Sequence, residues 1–236
     1  MPNNTDCKNC SNTSCLIHKH VGEPSIEAYL KNKHTTQCKK GQSIIVEGTP
    51  VEGMHFVHTG KVKVFSTGIN AREQILRFAI NGEMVGIRGF SSRQSHAIGA
   101  VALENTTMCH FSMDTLKEML LSNPNMAYDF MVFYAEELNR SETKVRMYAH
   151  MTVREKVIDT ILYLFRKFGN KNGVIDIQVS TKEIANFAGT EEEQVIRILF
   201  SLKKEKLIDS YGKKIGIPEV DLMKKEIEDH HFFIQS

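Results

Sequence analysis

No apolar run in this 236-residue chain approaches the roughly 20 residues that a membrane-crossing helix needs, so no membrane span is expected. The start, MPNNTDCKNC, lacks the basic flank and apolar stretch of a secretory signal. That places the protein in the cytoplasm, where disulfide frameworks are rare. Its five cysteines, an odd number, are therefore expected to be metal ligands or buried thiols. A net charge of only +2 does not announce a nucleic-acid binder. The chain has no glycine-rich phosphate loop, no nucleophile at a recognisable spacing from a base, and no paired carboxylates, so it is not expected to be an enzyme. Internal repeats and low-complexity tracts are also missing. An apolar fraction of 41% with 25% charged residues is that of an ordinary globular protein, long enough for two domains.

The most informative feature is concentrated at the start. Cys7, Cys10 and Cys15 lie within fifteen residues, a spacing that lets a short loop gather thiolates around one metal centre. Cys38 and Cys109 follow in isolation, and either could supply a fourth ligand once the chain folds. A zinc site is one reading, with Cys109, His18 or His20 completing the set. Otherwise His18 and His20 are expected to be solvated surface residues.

Nine of the fifteen glycines fall between Gly41 and Gly99, among short β-rich runs such as SIIVEG, MHFVHTG and KVKVFSTG, where they supply turns. This predicts an all-β roll. After Asn123-Pro124 the glycines vanish until Gly169 and the spacing becomes helical. Within that helix Met131, Tyr134, Leu138, Ser141, Val145 and Tyr148 step by three and four residues, the seam of a two-stranded coiled coil, which predicts a homodimer. A second helix follows Thr152 and ends at Gly169; VIDIQV is then expected to be a short strand. Ser180 with Glu183, and Thr190 with Glu193, each form a capping-box pattern on either side of Gly189. Helix, glycine turn, helix is the helix-turn-helix signature, and KLIDSYGKKIGI has the pattern of a wing hairpin. Burial of Val195, Ile198, Leu199 and Leu202 turns Glu193, Gln194, Arg197 and Ser201 outward. Acids outnumber bases from Ser180 to the end, eleven to nine, which counts against DNA binding. However, Lys203, Lys204, Lys206, Lys213 and Lys214 gather after the second helix, where they can meet phosphates. The expected architecture is α+β: a cysteine-rich segment over 1–20, a jelly-roll-like β-roll over 21–123, a dimerisation helix over 124–150 and a winged helix-turn-helix over 151–236.

These parts, in this order, resemble the CRP/FNR family of bacterial transcription regulators. The resemblance is carried by GQSIIVEGTPVEGMHFVHTGKVKVF, by GEMVGIRGF, by the long helix and by STKEIANFAGTEEEQVIRILFSLKKEKLI. Members that bind cyclic nucleotides carry an Arg-Ser pair after the mid-roll Gly-Glu. This chain reads SHAIGA there, and Arg93 lies out of register. The oxygen-sensing branch instead has three cysteines before the roll and a fourth late in it, in a segment similar to ENTTMCHFSMDTL. The resemblance thus implies a [4Fe–4S] cluster on Cys7, Cys10, Cys15 and Cys109, with Cys38 left over; haem on His55, His58 or His96 is the rival cofactor, alongside zinc. Four residues separate Cys10 from Cys15 where the best-known pattern has five. The resemblance further implies that Glu193 and Arg197 read bases, with Gln194, Ile196, Ser201 and Lys204 beside them. Ile196 stands where serine is usual and could touch a thymine methyl. The implied partners are a palindromic double-stranded DNA operator and RNA polymerase.

Overall fold

The computed structural model describes residues 6–90 and 94–231. Contacts divide the chain into two units, meeting at Ala135 and Glu136. In the first, helices α1 (Leu16–Lys19) and α2 (Pro24–Leu30) precede eight strands: β1 (His34–Cys38), β2 (Ser43–Ile45), β3 (Gly53–Thr59), β4 (Val62–Thr67), β5 (Glu73–Ala79), β6 (Met84–Val85), β7 (Gly99–Ala102) and β8 (Thr106–Ser112). They make two four-stranded antiparallel sheets, β1-β8-β3-β6 and β2-β7-β4-β5, as expected of a roll.

Side chains alternate between the faces of a strand, and that alternation builds two cores. Inside the roll, Val57, Val85 and Met108 of the first sheet meet Ile45, Val62, Val64 and Ala100 of the second. The other face of the first sheet presents Met54, Phe56 and Phe111. Covering it are Ile17, Ile26 and Leu30 from α1 and α2, Leu116 and Met119 from α3 (Met113–Ser122), and Met126 and Phe130 from α4 (Pro124–His150). Fully burying one such side chain contributes about 1.5–3 kcal/mol, so this cover holds the cysteine-bearing segment on the sheet. The long helix α4 starts where the sequence predicts: the Asn123 side chain accepts the Met126 N–H at 2.9 Å, and Pro124 takes the first helical position.

In the second unit, α5 (Val153–Phe168) opens on a Thr152–Glu155 capping box and closes at Gly169, φ 71°. Strands β9 (Asn170–Lys171) and β10 (Val174–Ile175) are joined by Asn172 and Gly173, both at positive φ, the Asn-Gly hairpin turn. Helix α6 (Thr181–Ala188) opens on the Ser180–Glu183 capping box and ends at Gly189 in the left-handed conformation, both as expected. Then come α7 (Glu192–Lys204), the wing β11 (Asp209–Tyr211) with β12 (Lys214–Gly216), and α8 (Val220–Lys225). The wing joins the hairpin in one sheet, β11-β12-β10-β9.

Two local expectations need correction. VIDIQV forms strand only over Val174–Ile175, because Asp176 turns away to bond Lys214 at 2.8 Å and its N–H returns to the Gly169 carbonyl. Thr190 is not the cap of α7: Glu191 is, with no side-chain cap bond. The Thr190 hydroxyl is spent on the Gln194 side chain, 2.6 Å away.

Candidate functional site

Cys7, Cys10, Cys15 and Cys109 line one pocket of about 360 Å³, part of it open to solvent. A one-turn 3-10 helix over Cys7–Asn9 carries the first thiol, and Cys15 caps the start of α1. Cys109 comes from β8, where it pairs with Phe56 of β3 and therefore shares that residue's outer face. Cys38 pairs with Thr106, three residues along the same strand, and so lies on the opposite, inner face, packed with Val57 and Met108. Strand register thus separates the fifth cysteine from the other four.

Burial pushes the thiols of Cys7 and Cys109 up and that of Cys15 up to about 11. Lys33, itself buried, opposes this at Cys7 and Cys109. A metal taking these sulfurs must displace protons, and Lys33 supplies positive charge against the thiolates that result. His58 also reaches the pocket, its Nδ1 3.6 Å from Cys10 Sγ; burial first, and then Lys33, hold its imidazolium form down. Nothing in the sequence pointed to Lys33, and His58 was expected only as a haem candidate rather than as a neighbour of the cysteines.

The cysteine loop is seated by the turn between β5 and β6. Gly82 sits there at φ +85°, and a Cβ on it would strike the Ser14 hydroxyl and approach the Cys15 backbone nitrogen at 3.2 Å. Gly82→Ala is therefore expected to lower stability by about 1–2 kcal/mol through the left-handed backbone alone, and to open the Cys15 thiol to solvent because it displaces the Ser14–Cys15 segment. Denaturant melts together with the rate of thiol labelling at Cys15 check this; unchanged labelling would show that the turn does not seat the loop.

His20 corrects an expectation, being buried rather than solvated. Its ring bonds Glu23 at 2.7 Å and Asp129 at 2.9 Å; Asp129 also pairs with Lys19 at 2.6 Å, and Glu23 accepts from Asn123. These bonds tie the cysteine segment to the beginning of α4. The His18 Nδ1 donates to the Cys7 carbonyl at 3.0 Å, so this nitrogen carries the ring proton. Of the histidines weighed for haem, His55 faces the roll interior with its ring tilted 43° against that of His110, centroids 4.7 Å apart, and the charge of His96 acts on it. Arg93 lies outside the described residues, and Gln94 and Ser95 are exposed.

Along α4, Met131, Leu138 and Val145 recur every seventh residue and are 60%, 58% and 71% exposed; Ser141 is exposed with them. Tyr134 and Tyr148 are turned to their own units instead. The Tyr134 hydroxyl donates to the Ile87 carbonyl, and burial pushes it up to about 12. Burial also raises Tyr148, against which Lys144 lies, 5.1 Å from the ring centroid and 3.7 Å from that of Phe187.

On α7, Val195 and Leu202 are fully buried and Ile198 and Leu199 half-buried, while Glu193, Gln194, Ile196, Arg197 and Lys204 are exposed. Glu193 and Arg197 form a loose 3.8 Å pair. Ser201 is half-buried and bonded to Glu205 at 2.6 Å. The sequence reading missed Phe200, which is 74% exposed on the same face; stepping seven residues from Glu193 finds it.

The family model for a cyclic nucleotide-binding domain matches residues 35–123, and that for a Crp-like helix-turn-helix domain matches 155–226. The transcriptional activator protein Anr of Pseudomonas protegens is 26% identical over 219 residues, spanning 91% of this chain and 89% of its own. The fumarate and nitrate reduction regulatory protein of Yersinia pestis is 23% identical, spanning 89% and 86%. Among solved structures, FixK2 from Bradyrhizobium japonicum superposes with a TM-score of 0.73 at 22% identity, covering 82% of this chain and 96% of that one. A β-roll followed by a Crp-like reading head, matched along nearly the whole length of such regulators, makes this chain a member of the CRP/FNR family of transcription regulators, non-enzymatic and built to bind DNA.

Proposed function

We propose that the protein senses oxygen or nitric oxide through a [4Fe–4S] cluster held by Cys7, Cys10, Cys15 and Cys109, and that the state of this site controls promoter binding. The observation that carries this is the meeting of four thiols, and not the fifth, around one pocket. Among the described residues no three Cys, His, Asp or Glu already stand at metal-ligand geometry. Four thiols spread around a pocket suit a group with several irons, each taking one thiolate. When bound, such a cluster supplies a centre that oxygen and nitric oxide attack.

The rest is the work of this chain's own residues. Lys33 balances thiolate charge, and Phe56 and Phe111 keep that side of the pocket apolar. His20 and Glu23 link the segment to Asp129 and Asn123 at the head of α4. Met131, Leu138 and Val145 supply the seam for a second copy, so that two α7 helices meet successive major grooves of a palindrome one helical turn apart. Ser141 puts no charge in that seam, so the dimer persists without the cluster and the switch acts through helix orientation. Glu193 and Arg197 read cytosine and guanine edges, with Gln194, Ile196, Ser201 and Lys204 beside them. The similarity to the transcriptional activator Anr and to the fumarate and nitrate reduction regulatory protein supports a role in transcription; a cytoplasmic location and RNA polymerase as partner belong to the same proposal.

Protein purified without oxygen should contain about four iron and four acid-labile sulfide per chain, with a visible absorption that bleaches in air. A colourless protein with one zinc would overturn the cluster. DNA affinity of the same preparation should fall with salt by about 0.9 log units per decade for each neutralised phosphate; a flat response would sink groove binding.

A further inference from the structure

Phe200 and Ile196 form an apolar edge on a helix whose own core face is already complete. Val195 and Leu202 are fully buried on the opposite side, so the fold gains nothing from a phenylalanine left 74% exposed, or from an isoleucine left 52% exposed one turn before it. Apolar side chains held in water at such exposure forgo the burial that stabilises them elsewhere. The two share the outer stripe of α7 with Glu193 and Arg197, and Lys203 and Lys204 are exposed at its end. A cation-flanked stripe of this kind on the second helix of a Crp-like unit fits the major groove of duplex DNA. The only apolar group that the groove offers along its base edges is the C5 methyl of thymine.

We propose that Ile196 and Phe200 together read thymine methyl groups, making Phe200 a specificity-determining residue of this protein. Four residues of helix advance about 6 Å, and successive base pairs about 3.4 Å. The pair therefore reaches thymines one or two steps apart, on the side of Arg197 away from Glu193 for Phe200 and beside Arg197 for Ile196. The carboxylate and guanidinium read hydrogen-bonding edges, and the two apolar residues read methyls; neither can replace the other. This rests on the DNA-binding reading above.

The test uses the full-length protein purified without oxygen. Duplexes are first selected from a random pool, and each thymine of the selected half-site is then replaced in turn by deoxyuridine, which lacks only the C5 methyl. Wild type is expected to lose about fourfold in affinity at each methyl it contacts, the value of one buried carbon. Phe200→Ala and Ile196→Ala are each expected to bind the thymine and deoxyuridine duplexes equally at the position that residue reads, while Phe200→Leu keeps part of the preference. Exposure at both sites leaves the fold of these variants intact. Wild-type binding that is indifferent to deoxyuridine at every position would overturn the proposal, as would undiminished discrimination in both alanine variants. A pool that yields no enriched duplex at any salt concentration would instead remove the DNA-binding reading beneath it.

Discussion

Cys109→Ala protein purified without oxygen is expected to carry almost no iron or acid-labile sulfide, whereas Cys38→Ala should keep about four of each per chain. The two cysteines sit on neighbouring strands of one sheet, and both are pushed upward by burial. What separates them is parity. Cys109 shares the outer face with Phe56, under the loop that carries Cys7, Cys10 and Cys15. Cys38 points into the roll among Val57, Val64 and Met108. Removing Cys109 takes away one of the four thiols that line the pocket, so assembly fails and DNA binding loses its response to air. Removing Cys38 deletes one buried sulfur from the roll core, a loss of about 1 kcal/mol of packing with no effect on iron. Iron and sulfide analysis beside a denaturant melt distinguishes the two effects. Equal iron loss in both variants, or iron retained in Cys109→Ala, would overturn the ligand set.

That distinction shows where sequence reasoning stops. The Asn123-Pro124 start of α4, the helix after Thr152, the capping box at Ser180 and the Gly189 turn are local patterns, and each appears in the structure as written, whereas the Thr190–Glu193 pattern does not. Choosing between Cys38 and Cys109 by chemistry alone was impossible, because it depends on strand register, a property of two distant segments; the family resemblance supplied Cys109. Lys33 was invisible for the same reason, and His58 was singled out only as a haem candidate, not beside the cysteines. His20 looked solvated because Asp129, the partner that anchors it, lies 109 residues away on α4. The α4 seam was legible as a repeat, yet spacing by three and four cannot tell a face that meets another chain from one that covers its own. Met131, Leu138 and Val145 are open, while Tyr134 and Tyr148 are occupied at home. Phe200 was missed because a phenylalanine beside Leu199 and Leu202 resembles core until the helix phase is followed.

The metal-free protein is expected to lose stability as the pH falls from about 6.5 to about 4, with His55 the largest single contributor. Burial, reinforced by the neighbouring His110 and His96, holds His55 down to about 4 in the folded chain, against about 6.5 in an unfolded one. The folded state therefore favours neutral imidazole. Its contribution is fully present above pH 6.5 and is lost as the pH drops through the folded value, when the unfolded chain takes up a proton that the roll resists. A difference of this size corresponds to about 3 kcal/mol at most. Burial also lowers His96 and His110, and these add to the slope, though Glu52 opposes the effect at both. The cause is built into the strands. Register places His34, His110 and His55 side by side across β1, β8 and β3, and Gly53, with no Cβ, makes room for the His110 ring. His55→Gln keeps a polar group of similar size but cannot titrate, so its urea midpoint should differ little from wild type at pH 7.5 and exceed it at pH 4.5. Parallel pH profiles for the two proteins would assign the acid sensitivity to other groups.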